Sequence, residues 1–540
     1  MTVRQNGGQA LVAALHGHGV DTVFGIPGTH NLTAFAALAE YGIRTVLTRH
    51  EQGAGYAADG YARVSGRPGV CLTTSGPAIL NAAAAAAQAW SDSVPVLFVS
   101  PGLPTDHPGL GNGYLHEVRD QRAALGSIVA YSHRVGSVAE IPRAVAAAFA
   151  AMTGGRPRPV HLEIPLDLLE ATAPVEPVAP VPLARAVPPA AELAEAARLL
   201  AAAERPVLLV GGGAKAAAGP LRALAERLGA PVLTTANGKG VLDEDHPLAV
   251  GAGLHQPSAR RLAEDADVVL AVGTELAPSD LWTGPYTLTG TLVRIDIDAA
   301  AVTTNADPAV RLVGDAADTL DALVKRLVSG IGRDSDQYHS QGQARAEVAR
   351  AALRADAAAE GAAYRDILAA LAPVVDGSTV IAGDSTMVCY YGVLSGLAVH
   401  RPAGFLYPTG GGTLGYGLPA AIGAKLAEPR SRVIAILGDG GIMFTVAELA
   451  AAAQLGLALP VLVVDNGGYG EIRNEMVERG DPVTAVDLGS AEFGSVDFAA
   501  LARAMGCHGL RIDDPADLTA AVSEALAADR PTVLWLPVPG

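Results

Sequence analysis

A chain of 540 residues is too long for one hydrophobic core, and at roughly 100–200 residues per domain it is expected to form about three. Half of its residues are hydrophobic and 17% are charged, the balance of a well-buried globular protein and not of a disordered one. Its 38 basic against 55 acidic residues give a formal charge of −17, which argues against nucleic acid and anionic membrane surfaces as partners and fits simple solubility. Cys71, Cys389 and Cys507 form no CxxC pair and no disulfide framework, as in a reducing cytoplasm. Residues 1–8 show no apolar signal-peptide core, and no apolar run is long enough to span a membrane. A cytoplasmic location is the expectation.

Strands rich in Val, Leu and Ile alternate with Ala-rich helical stretches, which predicts an α/β protein of doubly wound parallel sheets. Residues 21–28 read as a strand running into a Pro-Gly turn. Residues 45–49 read as a strand feeding His50-Glu51 and a helix, residues 69–77 as a third strand, and the alanines at 82–87 as part of a helix. Repeated prolines without periodicity between Ala171 and Pro189 predict an extended linker. In the middle block, residues 206–213, 267–274 and 292–298 read as strands. Its glycine turn lacks a convincing GxGxxG, so this block is expected to be structural. A polar Gln/Arg/Ala-rich stretch from Gly330 to about Ala357 reads as a partly helical connector. These breaks set the expected domains at 1–172, 190–335 and 358–540.

In the last block two apolar runs end on polar loops. Val433-Ile434-Ala435-Ile436-Leu437 meets Gly438-Asp439-Gly440-Gly441. Val461-Leu462-Val463-Val464 meets Asp465-Asn466-Gly467-Gly468-Tyr469-Gly470. Strand ends of this kind border the ligand crevice of a parallel sheet. The glycines let backbone N–H groups approach a phosphate. A carboxylate with an amide oxygen suits a hard cation such as Mg²⁺, which takes few protein oxygens and shares its shell with a diphosphate.

Further segments follow in the same order along the chain: Phe24-Gly25-Ile26-Pro27-Gly28, Arg49-His50-Glu51-Gln52-Gly53, Thr74-Ser75-Gly76-Pro77, Pro159-Val160-His161-Leu162-Glu163-Ile164-Pro165 and Leu414-Gly415-Tyr416-Gly417-Leu418-Pro419. With the Asp439/Asn466 pair they make the chain resemble, along essentially its full length, the acetolactate synthase and 2-oxoacid decarboxylase superfamily of thiamine diphosphate (ThDP) enzymes. The stretch 111–122, Gly383-Asp384-Ser385-Thr386 and Gly468-Tyr469-Gly470-Glu471-Ile472-Arg473 resemble 5-guanidino-2-oxopentanoate decarboxylases. Acetolactate synthases usually carry Phe-Gln-Glu where this chain has Leu115-His116-Glu117. Pyruvate-type decarboxylases usually carry adjacent histidines there, and this chain does not.

The resemblance implies a pyrimidine-binding N-terminal domain, a central domain and a diphosphate-binding C-terminal domain, with ThDP and Mg²⁺ as cofactors. It leaves the retention of FAD open. Glu51 would be the carboxylate at the cofactor's pyrimidine. Taken alone, it also reads as an ordinary carboxylate at a helix N-terminus. Asp439 and Asn466 would bind Mg²⁺ through side-chain oxygens and Gly468 through its carbonyl. The family commonly has Asn-Asn where this chain has Asp465-Asn466. Gly438, Gly440, Gly441, Tyr469, Ser385 and Thr386 would line the cofactor. Leu414 would bend it, and Gly412 would accept a hydrogen bond from its amine. Thr29, His30 and Asn31 would face the reacting carbon beside Leu115 and His116, whose imidazole could carry a proton. Glu471 could pair with a cationic substrate tail or simply be a solvated helix-end glutamate. The implied reaction is decarboxylation of a 2-oxo acid to an aldehyde, with carboligation as the alternative outcome. Intact Glu51, Asp439 and Asn466 disfavour a silent binding relative. The implied assembly is a homodimer or homotetramer in which Glu51 of one chain meets Asp439 of another.

Overall fold

The structure is a computed structural model and describes residues 3–109, 111–328, 335–489 and 496–539. Gly330, where the second composition break opens, and residues 1, 2 and 540 of the expected domain limits lie outside the described residues. Three six-stranded sheets follow one another along the chain, and every pairing within them is parallel. In spatial order the first holds Arg44–Leu47, Thr22–Gly25, Gly69–Leu72, Val96–Gly102, Val160–Pro165 and Tyr131–Arg134. The second holds Ala249–Ala252, Val232–Thr234, Pro206–Val210, Val268–Val272, Thr291–Asp296 and Val310–Val313. The third holds Phe405–Leu406, Thr379–Gly383, Arg432–Gly438, Pro460–Asp465, Thr532–Pro537 and His508–Arg511. Their central strands are unbroken apolar runs, such as Val207-Leu208-Leu209-Val210, because helices cover both sheet faces.

All three sheets share one winding rule. The chain lays its second strand, and in the middle sheet its third as well, on one side of the first, then crosses to the other side. The order therefore reverses between Thr22–Gly25 and Gly69–Leu72, between Pro206–Val210 and Val268–Val272, and between Thr379–Gly383 and Arg432–Gly438. Loops leaving such a strand pair splay apart and open a crevice. The expected linker and connector both differ from a plain coil. Thr172–Val175 pairs antiparallel with Val3–Asn6, Thr172 opposite Asn6 and Val175 opposite Val3, which carries the N-terminal domain to Val175. Residues 176–189 have no regular structure. Ser335–Glu360 forms one helix of 26 residues, since its Ala, Arg, Gln and Glu are strong helix formers.

The outer domains are locked together within one chain. The helix Glu51–Ser65 crosses the helix Gly417–Ala427 so closely that a Cβ on Gly60 would strike the Ala420 carbonyl, and one on Gly423 that of Ala57. Phe24, Tyr56 and Phe98 join Leu418, Ile422 and Leu449 in one core. Arg63 staples all three domains. It donates to Asp59 at 2.6 Å, to Asp92 at 2.8 Å and to Asn237 of the central domain at 2.7 Å, and Tyr416 of the C-terminal domain donates to Asp59 at 2.7 Å.

Candidate active site

The third switch point gathers the loops that the sequence singled out. Gly438 lies opposite Val464 in the parallel ladder, so Asp439 and Asp465-Asn466 leave neighbouring strands side by side. Gly467 takes a left-handed conformation, φ 79°, and its N–H donates to Asp465 Oδ1 at 3.0 Å. That turn swings Asn466 Oδ1 to 2.8 Å from the Gly468 carbonyl oxygen and 3.1 Å from Asp439 Oδ1. Three oxygens facing one another without a shared proton are unfavourable. Rotating the amide would relieve the contact by making two N–H bonds. A hard cation relieves it equally well, because an octahedral Mg²⁺ with bonds of 2.0–2.1 Å sets neighbouring oxygens about 3 Å apart. Asp439 is buried, and burial, followed by the charge of Asp465, pushes its carboxyl up to about 6. A cation would reverse that. Asp465, the departure from the family's asparagine, has its other oxygen on the Trp535 indole N–H at 2.8 Å.

Glycines let side chains close on this loop. A Cβ at Gly438 would sit 2.6 Å from Thr386 Oγ1, one at Gly440 2.9 Å from the Tyr469 ring, and one at Gly441 3.0 Å from the Asp384 carboxylate. Asp384 is fully buried and pushed up to about 6 by burial. It accepts from the Ser385 N–H at 2.8 Å and from the Gly415 N–H at 3.0 Å. It thereby ties the loop carrying Gly412, at φ 57°, and half-buried Leu414 to half-buried Ser385 and Thr386. Glu471 stands in the first turn of the helix Gly470–Arg479. Its Oε1 accepts from the Tyr391 hydroxyl at 2.7 Å, and its Oε2 is buried without a partner.

The first switch point gathers a second set. Asn31 is fully buried and spends its side chain on the loop: it accepts from the Gly28 N–H at 2.7 Å and donates to the carbonyls of Ile26 and Thr73. It is a positioning residue for its neighbour, not a group open to a ligand. His30 Nδ1 lies 2.6 Å from Ser75 Oγ, and Ser75 Oγ lies 3.2 Å from His116 Nδ1. The two rings meet edge to face at 5.0 Å. His116 is held at φ 63°, and a Cβ on Gly76 would collide with its carbonyl. Burial, and then the His116 ring, push His30 below its ordinary value. Thr29 and Leu115 are exposed beside the pair.

Glu51 opens the helix Glu51–Ser65 as expected, but its side chain is half-exposed, not sunk in the apolar stretch around it. The helix is buried only from Gly53 onward, so its first turn is uncovered in the single chain. Asn81 donates to Glu51 Oε2 at 3.0 Å. Beneath it lies a carboxylate that the sequence did not flag. Glu448 is fully buried, its Oε1 accepts from the N–H groups of Arg49 and His50 at 2.9 and 3.0 Å, and burial pushes it up to about 7. Ser75 and Asp384 stood inside quoted motifs without a role, whereas Glu448 had no local signal at all.

Models of the thiamine pyrophosphate enzymes match this chain in three stretches. The N-terminal TPP binding domain covers residues 5–124, the central domain 193–323 and the C-terminal TPP binding domain 382–535. The chain belongs to the thiamine pyrophosphate (ThDP) enzyme family, and the two loop clusters lie in its two TPP binding domains. Within the family, a probable 2-ketoarginine decarboxylase of Pseudomonas aeruginosa is 44% identical over 515 residues, covering 95% of this chain and 89% of that protein. A probable acetolactate synthase large subunit of Methanococcus aeolicus is 32% identical, covering 98% of this chain and 91% of that protein. The acetolactate synthase isozyme 2 large subunit of Escherichia coli K12 is 33% identical, with 99% and 95% covered.

Proposed function

We propose that this enzyme is a ThDP- and Mg²⁺-dependent decarboxylase that converts a 2-oxo acid, with 5-guanidino-2-oxopentanoate as the candidate, to an aldehyde and CO₂. The observation that carries the reading is the convergence of Asp439 Oδ1, the Asn466 side-chain amide and the Gly468 carbonyl oxygen at the mouth of the glycine loop. Those three would hold Mg²⁺, and the backbone of Gly440 and Gly441 with Ser385, Thr386 and Tyr469 would hold the diphosphate. Bound there, ThDP supplies a nucleophilic carbon and an electron sink for loss of CO₂. Gly412 O would accept from the pyrimidine amine, and Leu414 would set the shape of the site. The Glu51 carboxylate would share a proton with the pyrimidine nitrogen. His30 and His116 both turn Nδ1 toward Ser75 Oγ, which leaves Nε2 of each to exchange a proton with substrate. Burial, and then the His116 ring, lower His30, which favours its neutral form. Thr29 and Leu115 stay on the substrate side in this reading, and Asn31 holds the loop.

Leu80, Met443 and Phe444 are exposed apolar side chains on the helices next to Asn81 and Asp439. With half-exposed Glu51 they support a homodimer or homotetramer that completes each site from two chains. Free, buried Cys71, Cys389 and Cys507 suit a cytoplasmic enzyme. Among the described residues no helix is long and apolar enough to cross a membrane.

The acetolactate synthases among the relatives keep carboligation as the second reading. Product analysis by NMR separates the two. Protein, ThDP and Mg²⁺ are incubated with 5-guanidino-2-oxopentanoate and, in parallel, with pyruvate. An aldehyde from the guanidino acid is expected. A hydroxyketone acid from pyruvate, with no aldehyde from the guanidino acid, overturns the decarboxylase reading in favour of the carboligase.

A further inference from the structure

A cavity of about 260 Å³ opens where the second and third switch points face each other, between the central and C-terminal domains. Ser385, assigned above to the diphosphate loop, forms part of its wall, so the cavity adjoins the proposed cofactor site. Two carboxylates line it: Asp280 from the short helix Pro278–Leu281 after Val268–Val272, and Glu471 from the first turn of the helix Gly470–Arg479 after Pro460–Asp465. Among the described residues no lysine or arginine lines it. Its one imidazole, His255, has Nε2 at 3.2 Å from Glu360 Oε2, a carboxylate outside the cavity.

Neither acid is fully satisfied by the protein. Glu471 Oε2 is buried with no partner. The bond drawn to Asp280 Oδ1 is a long one, 3.4 Å from the Ala236 N–H, and burial pushes this carboxyl up to about 7. Both side chains are half-buried, and two carboxylates facing one cavity without a cation are costly, a cost that fixed positive charge from a ligand offsets.

Aromatic rings make up much of the remaining wall. Trp282 stacks on His255 with ring centres 3.7 Å apart and planes 15° apart, and meets Tyr391 edge-on at 6.1 Å. Tyr391 is the same residue that hydrogen-bonds Glu471. Trp282 is held at φ 46°, a left-handed conformation that costs a bulky residue energy and here fixes its ring at the cavity. Its backbone N–H donates to Pro278 O at 2.9 Å and its indole to Ser279 O at 3.0 Å, which keeps it there. Aromatic faces and paired acids match a flat, delocalised cation better than a compact, strongly hydrated ammonium.

We propose that Asp280, Glu471, Trp282 and Tyr391 form the subsite for the substrate's far end, and that they select 2-oxo acids ending in a planar guanidinium cation. The inference rests on the decarboxylase reading for the position of the reacting end, but its test does not require turnover. Calorimetry would measure binding of 5-guanidinopentanoate, which lacks the oxo group, and of 5-ureidopentanoate, which has the same shape and no charge. The holoenzyme is expected to bind the guanidino acid at least tenfold more tightly. Asp280→Asn and Glu471→Gln should each erase most of that preference while leaving ureido binding and ThDP affinity within threefold. Equal binding of the two acids by the unaltered enzyme overturns the subsite whatever the variants do, so a poorly folding variant does not blur the answer. A preference that survives both substitutions overturns it as well. Aldehyde formation is scored separately. Its absence alongside a tenfold guanidino preference sinks the decarboxylase reading and leaves the subsite standing.

Discussion

Replacing Arg63 by methionine is expected to loosen the whole molecule, because this side chain serves three domains. Its side chain and those of Asp59 and Asp92 are at most 2% exposed. Methionine keeps much of the volume but removes all three donated bonds, to Asp59, Asp92 and Asn237. Breaking a buried pair by deleting one partner costs about 3–5 kcal/mol, since a charge is left unpaired. Two carboxylates lose their cation here, which by itself would exceed that range. Lys215 moderates the loss. It lies in the same cluster, where burial and then the charge of Arg63 push it down to about 8. With Arg63 gone, Lys215 holds its proton more firmly and faces the same two acids. The net expectation is about 3–5 kcal/mol.

The cost should shrink as pH falls from 7.5 toward 5, because a buried carboxylate without a cation can take a proton instead. Urea unfolding followed by tryptophan fluorescence reads the effect, with the central and outer domains watched separately by limited proteolysis. The triple variant Arg63→Met, Asp59→Asn, Asp92→Asn should recover most of the loss. A single variant within about 0.5 kcal/mol of the parent, the scatter of an ordinary surface change, would refute the reasoning. So would a loss that does not depend on pH.

Three other outcomes follow from the candidate site. Glu51→Gln should lower turnover at least a hundredfold, a typical scale for removing an acid–base group, while ThDP binding by circular dichroism stays within threefold; full activity would sink the assigned role. Ser75→Ala removes the atom between the two imidazoles, so kcat should fall about 10- to 100-fold and its acidic limb should move; an unchanged pH profile would leave Ser75 a packing residue. Binding of the guanidino acid should weaken as pH drops below about 7, because protonated Asp280 carries no charge, whereas ureido binding should stay flat. The groups around that carboxyl are Glu471 and His255 across the cavity, and Asp92 and Glu275, whose charges act in the same direction as burial. A flat profile for both ligands would place the recognition elsewhere.

The reading of the sequence succeeded where chemistry is local. Each half of the proposed Asp439/Asn466 site follows directly on an unbroken apolar strand, so strand and polar loop stand within a dozen residues. The α/β class was legible for the same reason, since buried parallel strands announce themselves as apolar runs. Long-range contacts left no such mark. Thr172–Val175 looked like coil because Pro174 and the prolines after it hide a strand whose partner is at the other end of the domain. Glu448 sits on an Ala-rich helix and binds two backbone N–H groups from another domain, which no spacing encodes. Asp280 and Trp282 stand together on one short segment of the central domain, Tyr391 and Glu471 on two helices of the C-terminal domain, and the four share a wall only after those domains pack. The half-exposure of Glu51 has no mark in the sequence, because it depends on what packs over the first turn of its helix.

The ribbon of Val3–Asn6 with Thr172–Val175 has a consequence for how such a protein can be rebuilt. It brings the two ends of the N-terminal domain side by side, in register over four residues. A unit whose entry and exit adjoin behaves as a cassette: it can be cut out, spliced behind another domain or opened at a different loop without stretching its interior. The fourteen or so residues of irregular chain that follow, 176–189, act as the tether that would absorb such rearrangement. Domain order in this chain is therefore an arrangement that protein engineering can permute, so long as the crossing at Gly60 and Gly423 is allowed to re-form.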